Sequence, residues 1–330
     1  MTALLLTHSN DYFNIDRVMA ALEQMGTPCI RFNTDRFPED IHISEKIDDQ
    51  GIEVVVKGPD FQFSSREIGA VWSRKIWHPI IHTPMEDAYK QAAMRESTAV
   101  LRALFGALSH CKWLDPLAAM NKAEDKFLQL RYARQAGLRL PKTIITNDPE
   151  AVRKFYNSLK GEMICKMHTP LSVGMQHNQF FFYTTKINDE AIEELDMLSL
   201  CPMIFQERIP KAYELRVAYV DGQCFSGKIQ SAHLTDWRQG NPASMKWESY
   251  QLPEDCKEKI RKFMQLIGLS YGAIDLIRQT DGSYIFLEVN PGGEWGMLEK
   301  ELSLPIAQTI ATGLTQRIKS HFSIPQNQPS

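Results

Sequence analysis

Short apolar runs of strand length alternate along this chain with longer stretches whose apolar positions recur at helical spacing. Ala3 to Leu6 is a continuous apolar run, a helix is predicted from Ile15 to Met25 and closed by Gly26, and Cys29 to Phe32 is a second strand. Strand, helix, strand in that order predicts a parallel sheet. A strand at Ala70 to Trp72 and a helix from Glu86 to Leu108 follow, the helix apolar at Leu101, Leu104, Phe105 and Leu108, and Leu114-Asp115-Pro116 reads as a seam. Beyond the seam the pattern predicts a helix from Asn121 to Gln135 closed by Gly137, a strand at Thr143 to Thr146, a short helix after Asp148-Pro149 and a strand at Met163 to Met167. Then come a strand at Met203 to Glu207, a hairpin from Leu215 to Ile229 around Asp221-Gly222, a helix from Asp255 to Ile267 and a second hairpin around Asp281-Gly282. A helix around Pro305 to Lys319 precedes a polar tail, Ile324 to Ser330, expected to be disordered.

Asp-Gly between apolar runs signals a two-residue turn, because a type I′ turn needs positive φ at both central positions. Counting outward from Asp281-Gly282, Thr280 pairs with Ser283 and Asp275 faces Glu288. Period-two alternation adds Asn290 to that face, with paired Cβ atoms roughly 5 Å apart, and turns Ile274, Leu276, Leu287 and Val289 the other way. Two facing carboxylates repel unless positive charge lies between them, and hard oxygen donors suit Mg²⁺; a hairpin with one solvated face is the alternative. In the first hairpin Arg216 falls opposite Gly227 and shares a face with Glu214, while Lys228 points away. A fixed guanidinium with room beside it suits an acyl phosphate or a developing oxyanion.

Lys166 interrupts the apolar run Met163 to Met167, which is costly unless an anion meets it or its stem snorkels. Lys126 on its own reads as a solvated helix lysine, yet two lysines from separate elements suit phosphate oxygens. Pro210 ends the strand Phe205-Gln206-Glu207-Arg208-Ile209, leaving backbone donors and acceptors that fit a purine edge as well as an ordinary strand exit.

Composition narrows the field. With 37 basic and 40 acidic residues in 330, the formal charge of −3 gives no field toward nucleic acid or an anionic membrane. Six cysteines without a C-x-x-C pair predict reduced thiols in a cytoplasmic protein. No apolar run reaches 18 residues and the first residues lack a basic signal-peptide region. There is no G-x-G-x-x-G after the first strand, no P-loop and no H-E-x-x-H. Gly268-Leu269-Ser270-Tyr271-Gly272 matches G-x-S-x-G, but with a helix before it and a strand after, so Gly268 reads as a helix cap.

The order Lys126, Lys166, Gln206-Glu207-Arg208-Ile209, Arg216, Asp275, Glu288-Val289-Asn290-Pro291 resembles the ATP-grasp superfamily over nearly the whole chain. Asn33-Thr34-Asp35-Arg36-Phe37-Pro38, Val71-Trp72-Ser73-Arg74, Cys201-Pro202-Met203, Ile209-Pro210-Lys211, Glu214-Leu215-Arg216, Asp236-Trp237-Arg238 and Tyr271-Gly272-Ala273-Ile274-Asp275 resemble the microviridin-type graspetide ligases, relatives of RimK-like ligases. Gly293-Glu294-Trp295-Gly296-Met297-Leu298-Glu299 is similar to their amide-forming branch, with ester formation the alternative. The resemblance implies an α/β (α+β) ATP-grasp fold: an N-terminal Rossmann-like pre-ATP-grasp domain (1–115), a central lobe (116–200), a C-terminal lobe (201–323) and the tail 324–330. It further implies a homodimer that uses ATP to phosphorylate Asp or Glu side chains of a ribosomally made precursor peptide, whose Ser, Thr or Lys then closes a ring.

Carried onto this sequence, the resemblance gives Lys126 and Lys166 the nucleotide phosphates, and Gln206, Glu207 and Ile209 the adenine. Asp275, Glu288 and Asn290 receive two Mg²⁺ ions, Arg216 the acyl phosphate, and Glu214 the ribose or the orientation of Arg216. The loop Thr169 to Gln179 departs from the glycine-rich family pattern, with Gly174 alone. Asp189, Glu190 and Glu193 fall where a leader arginine docks, although a solvated helix face explains them equally. Arg74 and Trp77 are candidates for the core peptide, with core packing the alternative for Trp77. A RimK-like or glutathione-synthetase-like ligase joining a separate amine is a rival reading. So is a non-catalytic nucleotide sensor, which predicts lost metal ligands or phosphate lysines, and none is missing.

Overall fold

The computed structural model describes residues 1–49, 51–168, 172–175, 178–181, 184–230 and 246–321, with backbone alone at 172–175, 178–181 and 321. Cys29–Asn33, Thr2–Thr7, Ile68–Ser73 and Lys112–Trp113 form a parallel sheet in that spatial order. Leu4, Leu5 and Leu6 are all fully buried, which is why the run is continuous rather than alternating: both faces of the sheet are covered. Helix Asn14–Gln24 covers one face with Ile15, Val18, Ala21 and Leu22. The helix Ile306–His321 joins the same core through Ile306, Ile310, Leu314 and Ile318, together with Ala218, Val220 and Ile229 from the first hairpin. The other face packs against an antiparallel sheet that the sequence reading passed over, His42–Asp48, Gly51–Lys57 and Gln62–Ser64, through Val54, Val56 and Phe63.

A second sheet, ordered Thr185–Lys186, Met163–Lys166, Met203–Glu207, Thr143–Thr146, carries helix Pro149–Ser158 on Val152 and Tyr156. The helix predicted over Asn121 to Gln135 is in fact two, Leu117–Glu124 and Lys126–Gln135. Asp125 breaks it: its backbone is extended and its carboxylate accepts the Leu128 N–H at 3.0 Å, an N-cap worth about 1 kcal/mol. Lys126 thereby becomes the first residue of a helix instead of a mid-helix position.

The largest sheet is antiparallel, ordered Trp247–Ser249, Gln223–Ile229, Lys211–Val220, Tyr271–Gln279, Tyr284–Asn290. Helix Glu254–Ile267 packs on it and ends at Gly268, φ +87°, the cap expected. The first hairpin turns as counted: Asp221 and Gly222 have φ of 43° and 92°, and Arg216 pairs with Gly227. The space beside Gly227 is filled, however; a Cβ there would lie 2.6 Å from Leu298.

The second hairpin differs from the count. Gly282 (φ 89°) has positive φ and Asp281 does not, so the loop spans three residues and Gln279 donates its N–H to the Ser283 carbonyl at 2.9 Å. Arg278 pairs with Tyr284, Ile277 with Ile285 and Leu276 with Phe286. Leu287 is then an extra residue, a β-bulge, and not the partner of Leu276. The bulge restores the expected pairing of Asp275 with Glu288.

Candidate active site

Arg216 and Asp275 lie opposite each other on neighbouring strands. Nη1 of Arg216 donates to both Asp275 carboxylate oxygens, at 2.8 and 2.9 Å, while Nε and Nη2 donate to the Glu294 carbonyl at 3.2 and 3.0 Å. Burial disfavours the Arg216 charge, but Asp275 outweighs it and raises the guanidinium pKa. Glu288, beside Asp275 across the ladder, places Oε2 at 2.9 Å from Lys126 Nζ and accepts from Asn290 Nδ2 at 3.2 Å. Burial works to raise the Glu288 pKa; Lys126 and then Lys166 overcome it and bring it down to about 2. Lys126 and Glu288 are only 12% and 19% exposed, so this pair belongs to the class in which loss of one partner costs several kcal/mol, about 3–5.

Four elements thus converge: the helix starting at Lys126, the strand ending at Lys166, the strand carrying Arg216 and the hairpin carrying Asp275, Glu288 and Asn290. Among the described residues no three His, Cys, Asp or Glu side chains form a metal cluster. The set here is two carboxylates and an amide, hard oxygen donors on two adjoining strands, with Lys126 beside Glu288 favouring its charged form. That chemistry fits Mg²⁺. The loop after Asn290 closes the site with little slack: a Cβ on Gly293 would sit 2.4 Å from Ala273 Cβ and 3.0 Å from Arg216 Nη2.

Gln206 is buried, with Nε2 donating to Thr143 Oγ1 at 3.0 Å, and the Glu207 N–H donates to the Lys142 carbonyl at 2.9 Å, so of the expected purine-binding groups that N–H is already engaged. Ile209 is half-buried in the exit beyond. Glu214, on the Arg216 strand, meets Lys211 Nζ at 2.5 Å. Asp189, Glu190 and Glu193 lie on an exposed helix, Asp189–Glu193, where Asp189 accepts from Tyr156 Oη at 2.7 Å and raises its pKa.

Arg74 is completely buried, 2.8 Å from Glu294 and 3.8 Å from Asp11, and donates to the Gly292 carbonyl; in this arrangement it offers a peptide no surface. Trp77 is 39% exposed and stacks on His8 at 3.8 Å, so it is not packed into the core. Sequence reasoning missed Glu294 and Tyr271, whose hydroxyl donates to the Gly293 carbonyl at 2.6 Å. The paired glycines 292 and 293 were the available signal. Gly174 pairs with Gln179 in a hairpin of Ser172–Met175 and Asn178–Phe181. The rest of the loop from Thr169, with Asp236-Trp237-Arg238 and the tail 324–330, lies outside the described residues.

The lysines meeting Glu288 and the oxygen-bearing hairpin both lie within a stretch that a family comparison matches. The RimK-like ATP-grasp domain matches residues 123–314 and the MvdD pre-ATP grasp domain matches residues 2–121. The chain belongs to the RimK-like ATP-grasp family and is an ATP-grasp ligase.

Its solved relatives are more particular. Macrocyclase MdnC from Microcystis aeruginosa MRC, bound with precursor peptide MdnA, is 34% identical with a TM-score of 0.87, over 96% of this chain and 100% of that one. Macrocyclase MdnB from the same source is 38% identical with a TM-score of 0.82, over 95% and 98%. A RiPP-associated ATP-grasp ligase from Chryseobacterium gregarium, in complex with ADP and a leader and core peptide, is 29% identical with a TM-score of 0.89, over 96% and 97%. More distant is the tetrahydromethanopterin:alpha-L-glutamate ligase of Methanocaldococcus jannaschii, 23% identical over 218 residues, 63% of this chain and 71% of that one. The graspetide-ligase resemblance read from the sequence is borne out by these matches. No described helix is long and apolar enough to cross a membrane.

Proposed function

We propose that this protein is an ATP- and Mg²⁺-dependent macrocyclase of a ribosomally made precursor peptide, working as a cytoplasmic homodimer. An Asp or Glu carboxylate oxygen of the peptide attacks the γ-phosphorus of ATP and ADP leaves. A Lys amine of the same peptide then attacks the acyl carbon, phosphate departs with the bonding pair, and the nitrogen loses a proton, leaving an ω-amide ring. The likeness of Gly293 to Glu299 to the amide-forming branch favours Lys; a Ser or Thr hydroxyl would give an ω-ester. The observation that carries this reading is the pairing of Lys126 with Glu288 and of Arg216 with Asp275 at one spot, cations and carboxylates that a metal–nucleotide pair would engage separately.

Lys126 and Lys166 then hold phosphate oxygens as point charges. Gln206, Glu207 and Ile209 border the base, and Glu214 the ribose or the Arg216 stem. Two Mg²⁺ ions at Asp275, Glu288 and Asn290 would neutralise the phosphates during transfer. Arg216 stands where negative charge develops on the acyl phosphate. Asp189, Glu190 and Glu193 offer carboxylates to a basic residue of the leader. Support comes from MdnC and the Chryseobacterium gregarium ligase, which were solved with precursor, leader or core peptides. The distant glutamate ligase favours a second reading, addition of a separate amino acid to a carboxylate. Incubation with ATP, Mg²⁺ and a short Lys-, Thr-, Ser-, Asp- and Glu-rich peptide encoded beside the gene decides by mass spectrometry. Loss of one water per ring is expected, and gain of an amino-acid residue would overturn the macrocyclase reading.

A further inference from the structure

Resting on the role given to Arg216 above, we infer that Glu294 is a positioning residue for it. The Glu294 side chain is clamped by the N-terminal unit, and its backbone carbonyl is the seat on which the Arg216 guanidinium rests. Nε and Nη2 of Arg216 both donate to that carbonyl, so a shift of Glu294 shifts the guanidinium. The carboxylate of the same residue reaches the other way, to Arg74 Nη2 at 2.8 Å, Asn14 Nδ2 at 2.5 Å and Lys75 Nζ. Asn14 opens the first helix, and Arg74 and Lys75 follow the strand Ile68–Ser73, so all three anchors belong to the parallel-sheet unit.

Burial works against the Glu294 charge, but Arg74 and Lys75 outweigh it and hold its pKa below the ordinary carboxylate range. Arg74 depends on the contact in return, because its fully buried guanidinium has Asp11 only at 3.8 Å. Three successive carbonyls of the loop are each held by a different donor: Gly292 by Arg74, Gly293 by Tyr271 Oη and Glu294 by Arg216. A Cβ on Gly292 would lie 3.0 Å from the Arg74 carbonyl, so the loop cannot slide without moving its anchors. Two stretches that marked the family resemblance, Val71 to Arg74 and Gly293 to Glu299, are therefore one mechanical unit that carries the position of the N-terminal sheet to the reacting carbonyl.

Glu294→Gln tests this with the full chain, ATP, Mg²⁺ and precursor peptide, since it keeps the volume and the carbonyl and removes the charge. Ring formation should fall in kcat by about 10- to 100-fold, the scale of a small misplacement. The KM for ATP should stay within about twofold, because the phosphate and base contacts are untouched. The decisive measurement is the cycle with Arg216→Lys: if Glu294 acts through Arg216, adding Glu294→Gln to Arg216→Lys costs no more than about twofold further. Full multiplication of the two penalties would overturn the inference, as would a rate loss accounted for by an equal loss of folded protein in a thermal melt. Should the wild type add an amino acid in place of closing a ring, the macrocyclase reading fails, and the same cycle run on ADP release still decides the part played by Glu294.

Discussion

Two hairpins share the dipeptide Asp-Gly at their turns, and they behave differently. Around Asp221-Gly222 both residues take positive φ, the loop is two residues long and the ladder runs regularly from Val220–Gln223 to Glu214–Ile229. Around Asp281-Gly282 the glycine alone does so, the loop gains a residue, and Leu287 bulges out of the ladder immediately before Glu288. The straight hairpin delivers Arg216 and the bulged one delivers Asp275, Glu288 and Asn290. A turn sequence sets the local geometry, but the pairing at the site is fixed farther along, where Ile274, Phe286 and Val289 are fully buried and a misaligned strand would expose them. A bulge beside Glu288 is a way of aiming that carboxylate without moving the strand that carries it.

The largest effect should come from the bulged hairpin. Glu288→Gln is expected to lower ring formation by more than about 100-fold, since it removes the charge that meets Lys126 and that the proposed Mg²⁺ site requires. Turnover retained within a few-fold, measured by product mass, would show that the hairpin carries no metal chemistry. Deleting Leu287 should be milder. The ladder closes up with Asp275 still opposite Glu288, and the rate drops by about tenfold through a changed carboxylate angle; an unaffected rate would mean that the bulge has no functional role. Smallest of all, Gly222→Ala and Gly282→Ala should each lower stability by about 1 kcal/mol in denaturant titration and leave the rate unchanged, because each forces a side chain into positive φ. A difference between the two would sharpen the contrast: a Cβ at Gly222 meets open space, whereas one at Gly282 sits 3.2 Å from Arg278.

The parallel sheet, the Gly268 cap and the first hairpin were legible because each rests on local pattern or turn chemistry. The pairing of Asp275 with Glu288 was also read correctly, although by a count that omitted both the longer loop and the bulge. What was not legible had non-local causes. Apolar spacing runs straight through Asp125, so periodicity could not show that its side chain caps a new helix. The sheet His42–Ser64 blurs its alternation, because Val55 stands half-buried between the buried Val54 and Val56 while Ile47 and Ile52 are exposed. Arg74 was a candidate peptide contact through the family resemblance, and only the tertiary fold supplies the Glu294 that allows its burial. Trp77 stacks on His8 from a distant strand end, a partnership no window of sequence contains.

The helix Ile306–His321 covers the first sheet, and that has a consequence for synthesis. Leu5, Ile15, Val18 and Trp72 share a core with Ile306, Ile310 and Leu314. A nascent chain emerging at roughly 5–20 residues per second makes its first strands well before the helix that shields them. The opening unit therefore waits, with apolar surface uncovered, until residues 306–321 have emerged. Its folding is a late, long-range closure, in which a helix made far downstream completes strands made long before it.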